Sequence, residues 1–158
     1  MFDVLDDQGN EKYQVRTPWK LPWRLVWRLS VFEKSDNEPW LTVRAKPGLT
    51  FGEDIIQDKN RTVIAEIIPK FTLRYAACWK ISNVQSGCEM ATFCKKWSFL
   101  RASADIFIHG ECLGTFCAHS GGWCAQYMMD LSGDPGGRID RRIALAFASY
   151  LCYDDCGR

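Results

Sequence analysis

The chain has 158 residues, of which 47% are hydrophobic and 25% are charged, and its formal net charge is +1. A chain of this length most naturally forms one domain, so we predict a single domain over residues 1–158. The near balance of 20 basic and 19 acidic residues excludes a nucleic-acid binder driven by overall charge, and the apolar content excludes a disordered chain.

The first residues of the chain do not resemble a secretion signal. Residues 1–7 are acidic where a signal would be basic, and no apolar region follows them. The longest mostly apolar run, Ile143–Tyr153, has 11 residues, against the roughly 20 that a membrane-spanning helix needs. We therefore predict a cytoplasmic protein whose eight cysteines are reduced thiols, mostly buried as small apolar side chains.

Alternation of apolar and polar residues dominates the chain from Phe2 to Met129 and predicts strands. The predicted strands are Phe2–Leu5, Tyr13–Thr17, Trp23–Glu33, Trp40–Lys46, Leu49–Ile56, Thr62–Ile68, Phe71–Trp79, Cys88–Cys94, Trp97–Arg101, Asp105–His109, Cys112–Ala118 and Trp123–Met129. Turn-forming residues separate these eleven or twelve strands about every ten residues, which is typical of a β-sandwich or a β-barrel.

Residues 19–32 fit two patterns. Three tryptophans and three cations each recur every four residues: Trp19, Trp23 and Trp27, and Lys20, Arg24 and Arg28. That spacing is typical of a basic amphipathic helix on a membrane. Unbroken alternation from Trp23 onward favours a strand instead, and Pro22 would interrupt a helix that begins near residue 19. We predict a strand over Trp23–Glu33 whose arginines face solvent.

The pattern changes after Met129. Residues 131–138 form a glycine-rich loop, and Asp140 can cap a helix over residues 140–152. Beyond its first turn this helix is apolar on every face, so it should be buried on all sides. A closed barrel around the helix fits both the run of strands and the apolar helix, because closure removes strand edges and the helix fills the interior. We predict a mainly β fold, a closed antiparallel barrel of about twelve strands that encloses the C-terminal helix.

Three segments of the chain follow one another in a familiar order. They are Phe2–Gly9, Ile106–Phe116 and Asp140–Ala148. They are similar to the opening hairpin, a late hairpin and the closing helix of the tubby C-terminal-like superfamily, in its phospholipid-scramblase and LURP-one-related branch. The match is one of order and spacing over nearly the whole chain. The resemblance implies a twelve-stranded barrel around a central helix. It also implies a role at membranes or in signalling, since tubby-like proteins bind phosphoinositides and scramblase-like proteins are tied to phospholipid redistribution.

We therefore predict a non-enzymatic domain that binds membrane phospholipid, phosphoinositide included, or a signalling protein partner, and that associates peripherally with the membrane. The predicted lipid-binding residues are Trp19, Lys20, Arg24 and Arg28. Tryptophan favours the headgroup zone, and each cation near an anionic leaflet contributes about 1 kcal/mol. Alternatively, the tryptophans pack on the central helix while the arginines still face solvent. We expect neither a cofactor nor a nucleic-acid partner.

Metal sites have weak sequence support. The nearest approach to a metal cluster is Cys112, Cys117, His119 and Cys124, whose spacings match no common zinc module. Scramblases carry an acidic calcium loop before the closing helix, and residues 130–140 occupy that place here. Asp130, Ser132 and Asp134 stand at the first, third and fifth positions of such a loop, but the twelfth position is Arg141 rather than a carboxylate.

Two other functions stay open. An intracellular carrier of small ligands would use a similar barrel, although an apolar helix inside the barrel would fill its cavity. A cysteine-dependent enzyme would use Cys117 with His119, because residues two apart on a strand share a face and a histidine activates a neighbouring thiol. No third residue that would orient the histidine is evident in the sequence.

Overall fold

The computed structural model describes residues 2–6, 8–16, 28–46, 53–97, 103–121 and 124–156. In these residues the chain forms eleven strands and one helix. They are β1 (Phe2–Leu5), β2 (Glu11–Arg16), β3 (Arg28–Glu33), β4 (Pro39–Ala45), β5 (Asp54–Asp58), β6 (Val63–Lys70), β7 (Ala77–Asn83), β8 (Glu89–Lys95), β9 (Ser103–Ile108), β10 (Glu111–Gly121), β11 (Cys124–Asp130) and α1 (Arg141–Cys156). The mainly β class predicted from alternation is confirmed.

All strands belong to one antiparallel sheet in which each strand pairs with its sequence neighbours, from β1 through β11. Within the described residues no pairing joins β11 to β1, so the sheet is not closed into a barrel. The predicted closed barrel of about twelve strands is therefore wrong in this respect. In an up-and-down sheet of eleven strands the first and last strands run in the same direction, so antiparallel pairing cannot close the sheet.

Two predicted strands differ from the observed ones for a common reason. Residues 71–76 were expected at the start of a strand, but they form a loop, and β7 begins at Ala77. Trp97 likewise lies beyond β8 in a connection, and residues 98–101 of that predicted strand lie outside the described residues. Alternating apolar residues form a strand where a neighbouring strand pairs with them, and here that pairing ends at Lys70 and at Lys95.

α1 lies against the concave side of the sheet with every face of its middle turns covered. Its buried residues are Ile143, Ala144, Leu145, Ala146, Phe147, Ala148, Ser149, Leu151 and Cys152. Phe147 contacts Phe93 of β8 and Trp79 of β7, with ring centroids 4.2 and 5.5 Å apart, and the helix also packs on β3 and β4. Strands on both sides of α1 contact it, so the open sheet curves around the helix. The predicted all-round burial of the helix is confirmed.

The antiparallel order places successive connections at alternate ends of the sheet. We call the end that holds the connections after β2, β4, β6, β8 and β10 the loop end. We call the opposite end, which holds residues 34–38, 59–62, 84–88, 109–110 and 131–140, the turn end. α1 begins at the turn end, and its Tyr150 contacts Trp79 near the opposite end of β7, so the helix runs toward the loop end.

The convex face of the sheet carries a disulfide between Cys78 of β7 and Cys94 of β8. The two residues are directly paired in register, with their Cα atoms 4.2 Å apart. This bond corrects the expectation that all cysteines are reduced. The predicted burial holds for Cys78, Cys94 and Cys152, whereas Cys117 is half-buried and Cys88 and Cys112 are exposed.

The loop that follows β11 packs tightly on β10 through glycine. A Cβ atom at Gly133 would lie 2.8 Å from the carbonyl oxygen of Leu113, a backbone atom that cannot turn aside. We expect Gly133→Ala to lower the free energy of unfolding by about 1–3 kcal/mol, the usual cost of overpacking. Gly136→Ala is the matched control in the same loop, since nothing lies within 4 Å of its added atom. Equal thermal melting shifts in the two variants would contradict the close contact.

Candidate functional site

The predicted lipid-binding residues fall mostly outside the described part of the chain. Trp19, Lys20 and Arg24 lie outside it, whereas Arg28 is the first residue of β3. Arg28 is exposed, as its place in the alternation predicts, and it pairs in register with Arg44 of β4. The structure therefore brings Arg28 together with an arginine that the sequence interpretation did not single out.

Three arginines share the convex face near the loop end, and we call them the arginine patch: Arg16, Arg28 and Arg44. The guanidinium of Arg44 donates to Oε1 of Gln57 at 2.7 Å, and that of Arg16 lies 4.4 Å from the ring centroid of Phe32. Within the described residues none of the three forms an ion pair. Like charges directly opposite on antiparallel strands destabilise a sheet, so an external anion would relieve the repulsion.

Three large apolar side chains protrude at the loop end, and we call them the apolar tips: Phe71, Leu73 and Trp97, which are 89%, 85% and 70% exposed. Among the described residues they are the most exposed large apolar side chains, ahead of Met128 at 56%. They sit on neighbouring connections, because the 71–76 loop leads into β7 and Trp97 follows β8. The Ala76 amide donates to the Lys95 carbonyl at 2.9 Å and joins the bases of the two connections.

The cations around the tips fall into two groups. Lys70 and Arg74 are exposed and have no carboxylate partner within the described residues. Lys96 is paired with Asp105 at 2.6 Å, and Lys46 bridges Glu53 and Glu66 at 3.0 Å each. Both paired lysines donate hydrogen bonds to these carboxylates, and the bonds raise the pKa of each lysine. The largest contribution comes from the bond to Asp105 for Lys96 and from the bond to Glu66 for Lys46. The charges of the paired lysines are balanced by carboxylates of the sheet, whereas those of Lys70 and Arg74 are not.

Three cations at the turn end are held in close ion pairs. Lys34 pairs with Glu11, Arg142 with Asp140, and Arg138 with Glu111, at 2.7, 2.7 and 2.9 Å. The turns there are short and rich in polar residues. Lys12, Lys59 and Arg61 also lie at this end, exposed and without a carboxylate partner, so within the described residues the two ends differ mainly in apolar exposure.

The loop over residues 130–140, which has only part of a calcium-loop pattern, is organised around the fully buried Asp134. Its carboxylate accepts the backbone amides of Arg138 and Ile139, both at 2.9 Å. The guanidinium groups of Arg138 and Arg141 each come within 3.7 Å of the same carboxylate. The hydrogen bonds from these amides lower the pKa of Asp134, and the bond from Ile139 has the larger effect. A carboxylate that already faces two amides and two cations is a structural anchor rather than a ligand for calcium.

The relative position of Cys117 and His119 follows from their places on the backbone of β10. Cys117 is half-buried on β10, and the backbone of His119 lies two residues further along the same strand, so the two positions share the convex face. The side chains of His119 and Cys124 lie outside the described parts. Among the described residues, no three His, Cys, Asp or Glu side chains cluster in a way that could hold a metal.

A carrier of small ligands would need a cavity that holds its ligand. α1 occupies the concave side of the sheet, where a carrier would hold its ligand. A shallow depression of about 100 Å³ lies on β1–β3 and is lined by Asp3, Gln14 and Arg16 among others. Small-molecule pockets are typically about 300–1,000 Å³. The depression is thus too small for such a ligand.

Comparisons of the chain with family models, curated proteins and solved structures find no match. No helix in the described ranges has the length and apolar character needed to cross a bilayer.

Proposed function

We propose that the protein is a non-enzymatic domain that binds anionic phospholipid at a membrane surface, the role that its resemblance to the tubby C-terminal-like superfamily implies. The observation that carries the proposal is the set of exposed cations without carboxylate partners at the loop end: Arg16, Arg28, Lys70 and Arg74. The cytoplasmic leaflet is the anionic side of most membranes. We therefore propose a peripheral position there.

The expected strength follows from the number of cations. Each contributes about 1 kcal/mol near an anionic leaflet, so four give about 4 kcal/mol. That energy supports reversible adsorption that weakens with salt, because the screening length is about 10 Å at 0.1 M. A soluble acidic partner would use the same charges, and a binding test with neutral and anionic vesicles separates the two.

The charge variant Arg28→Ala with Arg74→Ala is expected to bind phosphatidylserine vesicles about 30-fold more weakly than the wild type. Two lost cations remove about 2 kcal/mol, and 1.4 kcal/mol corresponds to about tenfold in affinity. Vesicle flotation at low ionic strength measures the change. Both side chains are exposed, so circular dichroism should show an unchanged fold.

A matched control removes the same charge from the turn end, through Lys59→Ala with Arg61→Asn. Both residues are exposed, and asparagine tolerates the positive φ of 63° at position 61. This control should bind nearly as well as the wild type. Equal losses in both variants would show that net charge alone matters, and absence of wild-type binding to anionic vesicles would overturn the proposed function.

A further inference from the structure

The apolar tips are displayed on a braced part of the sheet. Phe71 and Leu73 lie two residues apart in a loop that the amide of Arg74 shapes by donating to Oγ1 of Thr72 at 3.2 Å. The hydrogen bond from the Ala76 amide to the Lys95 carbonyl and the pairing of Ala77 with Lys95 join the two connections at their bases. The tips are therefore presented on two connections that are joined at their bases.

Exposure of this extent is unusual for side chains of this kind. Connecting loops run over the surface with polar residues at their tips, as the turn-end connections of this sheet do. Phe71 and Leu73 instead leave most of their surface in water, and Trp97 does so on the adjacent connection. Large exposed apolar side chains mark a surface that binds a partner or a membrane.

We infer that the apolar tips insert into the interface of an anionic bilayer. The loop end of the sheet then faces the membrane, and the strands are steeply inclined to the membrane plane. This inference rests on the proposed function and names the surface that carries it. Aromatic and leucine side chains bury at the boundary between headgroups and acyl chains, while neighbouring cations stay with the phosphates. Lys70 and Arg74 directly flank the tips in sequence and supply that charge.

The charge around the tips selects a bilayer over an apolar protein groove. The unpaired cations beside Phe71 and Leu73 would lose their hydration inside an apolar groove but keep it among lipid headgroups. The basic character also fits an anionic leaflet, whose charge attracts such residues.

The test uses vesicles of phosphatidylcholine and phosphatidylserine in flotation at low and high salt. The wild type should retain a salt-resistant bound fraction, because apolar insertion is not screened. Phe71→Ser with Leu73→Ser should lower partitioning at least about 100-fold and remove that fraction. Leu5→Ser with Val84→Ser, two exposed apolar residues at the turn end, is the matched control and should bind as the wild type does.

Trp97 gives a second, optical readout. Brominated phospholipid in the same vesicles should quench part of the tryptophan fluorescence, and Trp97→Phe should reduce that quenching while binding persists. Should Phe71→Ser fail to fold, Leu73→Ser with Trp97→Ser replaces it. Wild-type binding that the tip variants leave unchanged would overturn insertion and leave the proposed function standing. Absence of wild-type binding would overturn the proposed function itself, and insertion with it.

Discussion

Phe147→Ala is expected to lower the free energy of unfolding by about 3–5 kcal/mol, the usual cost of removing a buried phenylalanine. Phe147 is fully buried at the centre of α1, and its ring lies 4.2 Å from that of Phe93 and 5.3 Å from that of Tyr150. Domains of this kind are typically stable by about 5–15 kcal/mol, so this variant should retain little stability. Urea denaturation followed by circular dichroism measures the loss.

The same substitution at an exposed site is the control for this prediction. Phe71→Ala removes an identical group from a side chain that is 89% exposed, so we expect a change within about 0.5 kcal/mol. A large loss at Phe147 with almost none at Phe71 supports the helix as the centre of the core. Comparable small losses at both positions would contradict that placement of α1.

The central helix could be predicted because its signals are local. Asp140 precedes the apolar residues and accepts the amide of Arg142 at 2.9 Å, as a helix cap should. Apolar residues on every face required burial on all sides, whatever surrounded them. The helix extends to Cys156 rather than residue 152, because polar residues near a helix end do not by themselves stop it.

Closure of the sheet and the disulfide could not be predicted, because both depend on pairing between distant strands. The described residues hold eleven strands, an odd number, so β1 and β11 run in the same direction. Cys78 and Cys94 are 16 residues apart and meet because of the register between β7 and β8. Alternation gives the faces of a strand but not its partner's register.

The candidate site was partly predictable for the same reason. Arg28 was found because alternation places it on the solvent face of β3. Phe71, Leu73 and Trp97 were missed because they alternate as a buried strand would, and their exposure appears only once the pairing is known. The available signal was the cation beside each tip, in Lys70-Phe71, Leu73-Arg74 and Lys96-Trp97.

Asp134→Asn is expected to destabilise the protein at neutral pH and to lose this effect in acid. Asparagine keeps the shape of the side chain, but one carboxylate oxygen becomes an amino group. That amino group cannot accept the hydrogen bond that one of the two backbone amides donates to Asp134. If the buried Ile139 amide loses its acceptor, the cost is about 1–3 kcal/mol. The variant also removes the charge that faces Arg138 and Arg141.

The pH dependence follows from the lowered pKa of Asp134. Hydrogen bonds from the amides of Ile139 and Arg138 favour the ionised carboxylate, so its pKa in the folded protein lies below the ordinary 3.8. The stability that this group contributes is therefore fully present above the ordinary value and is lost as the pH falls through the folded pKa. Thermal melts at pH 7 should separate wild type from Asp134→Asn, and the gap in melting temperature should narrow in melts below pH 3.8.

Asp36→Asn removes an exposed carboxylate from the turn after β3 and should shift the melting temperature little at either pH. A gap for Asp134→Asn that stays constant down to low pH would show that shape, and not charge, anchors the loop before α1.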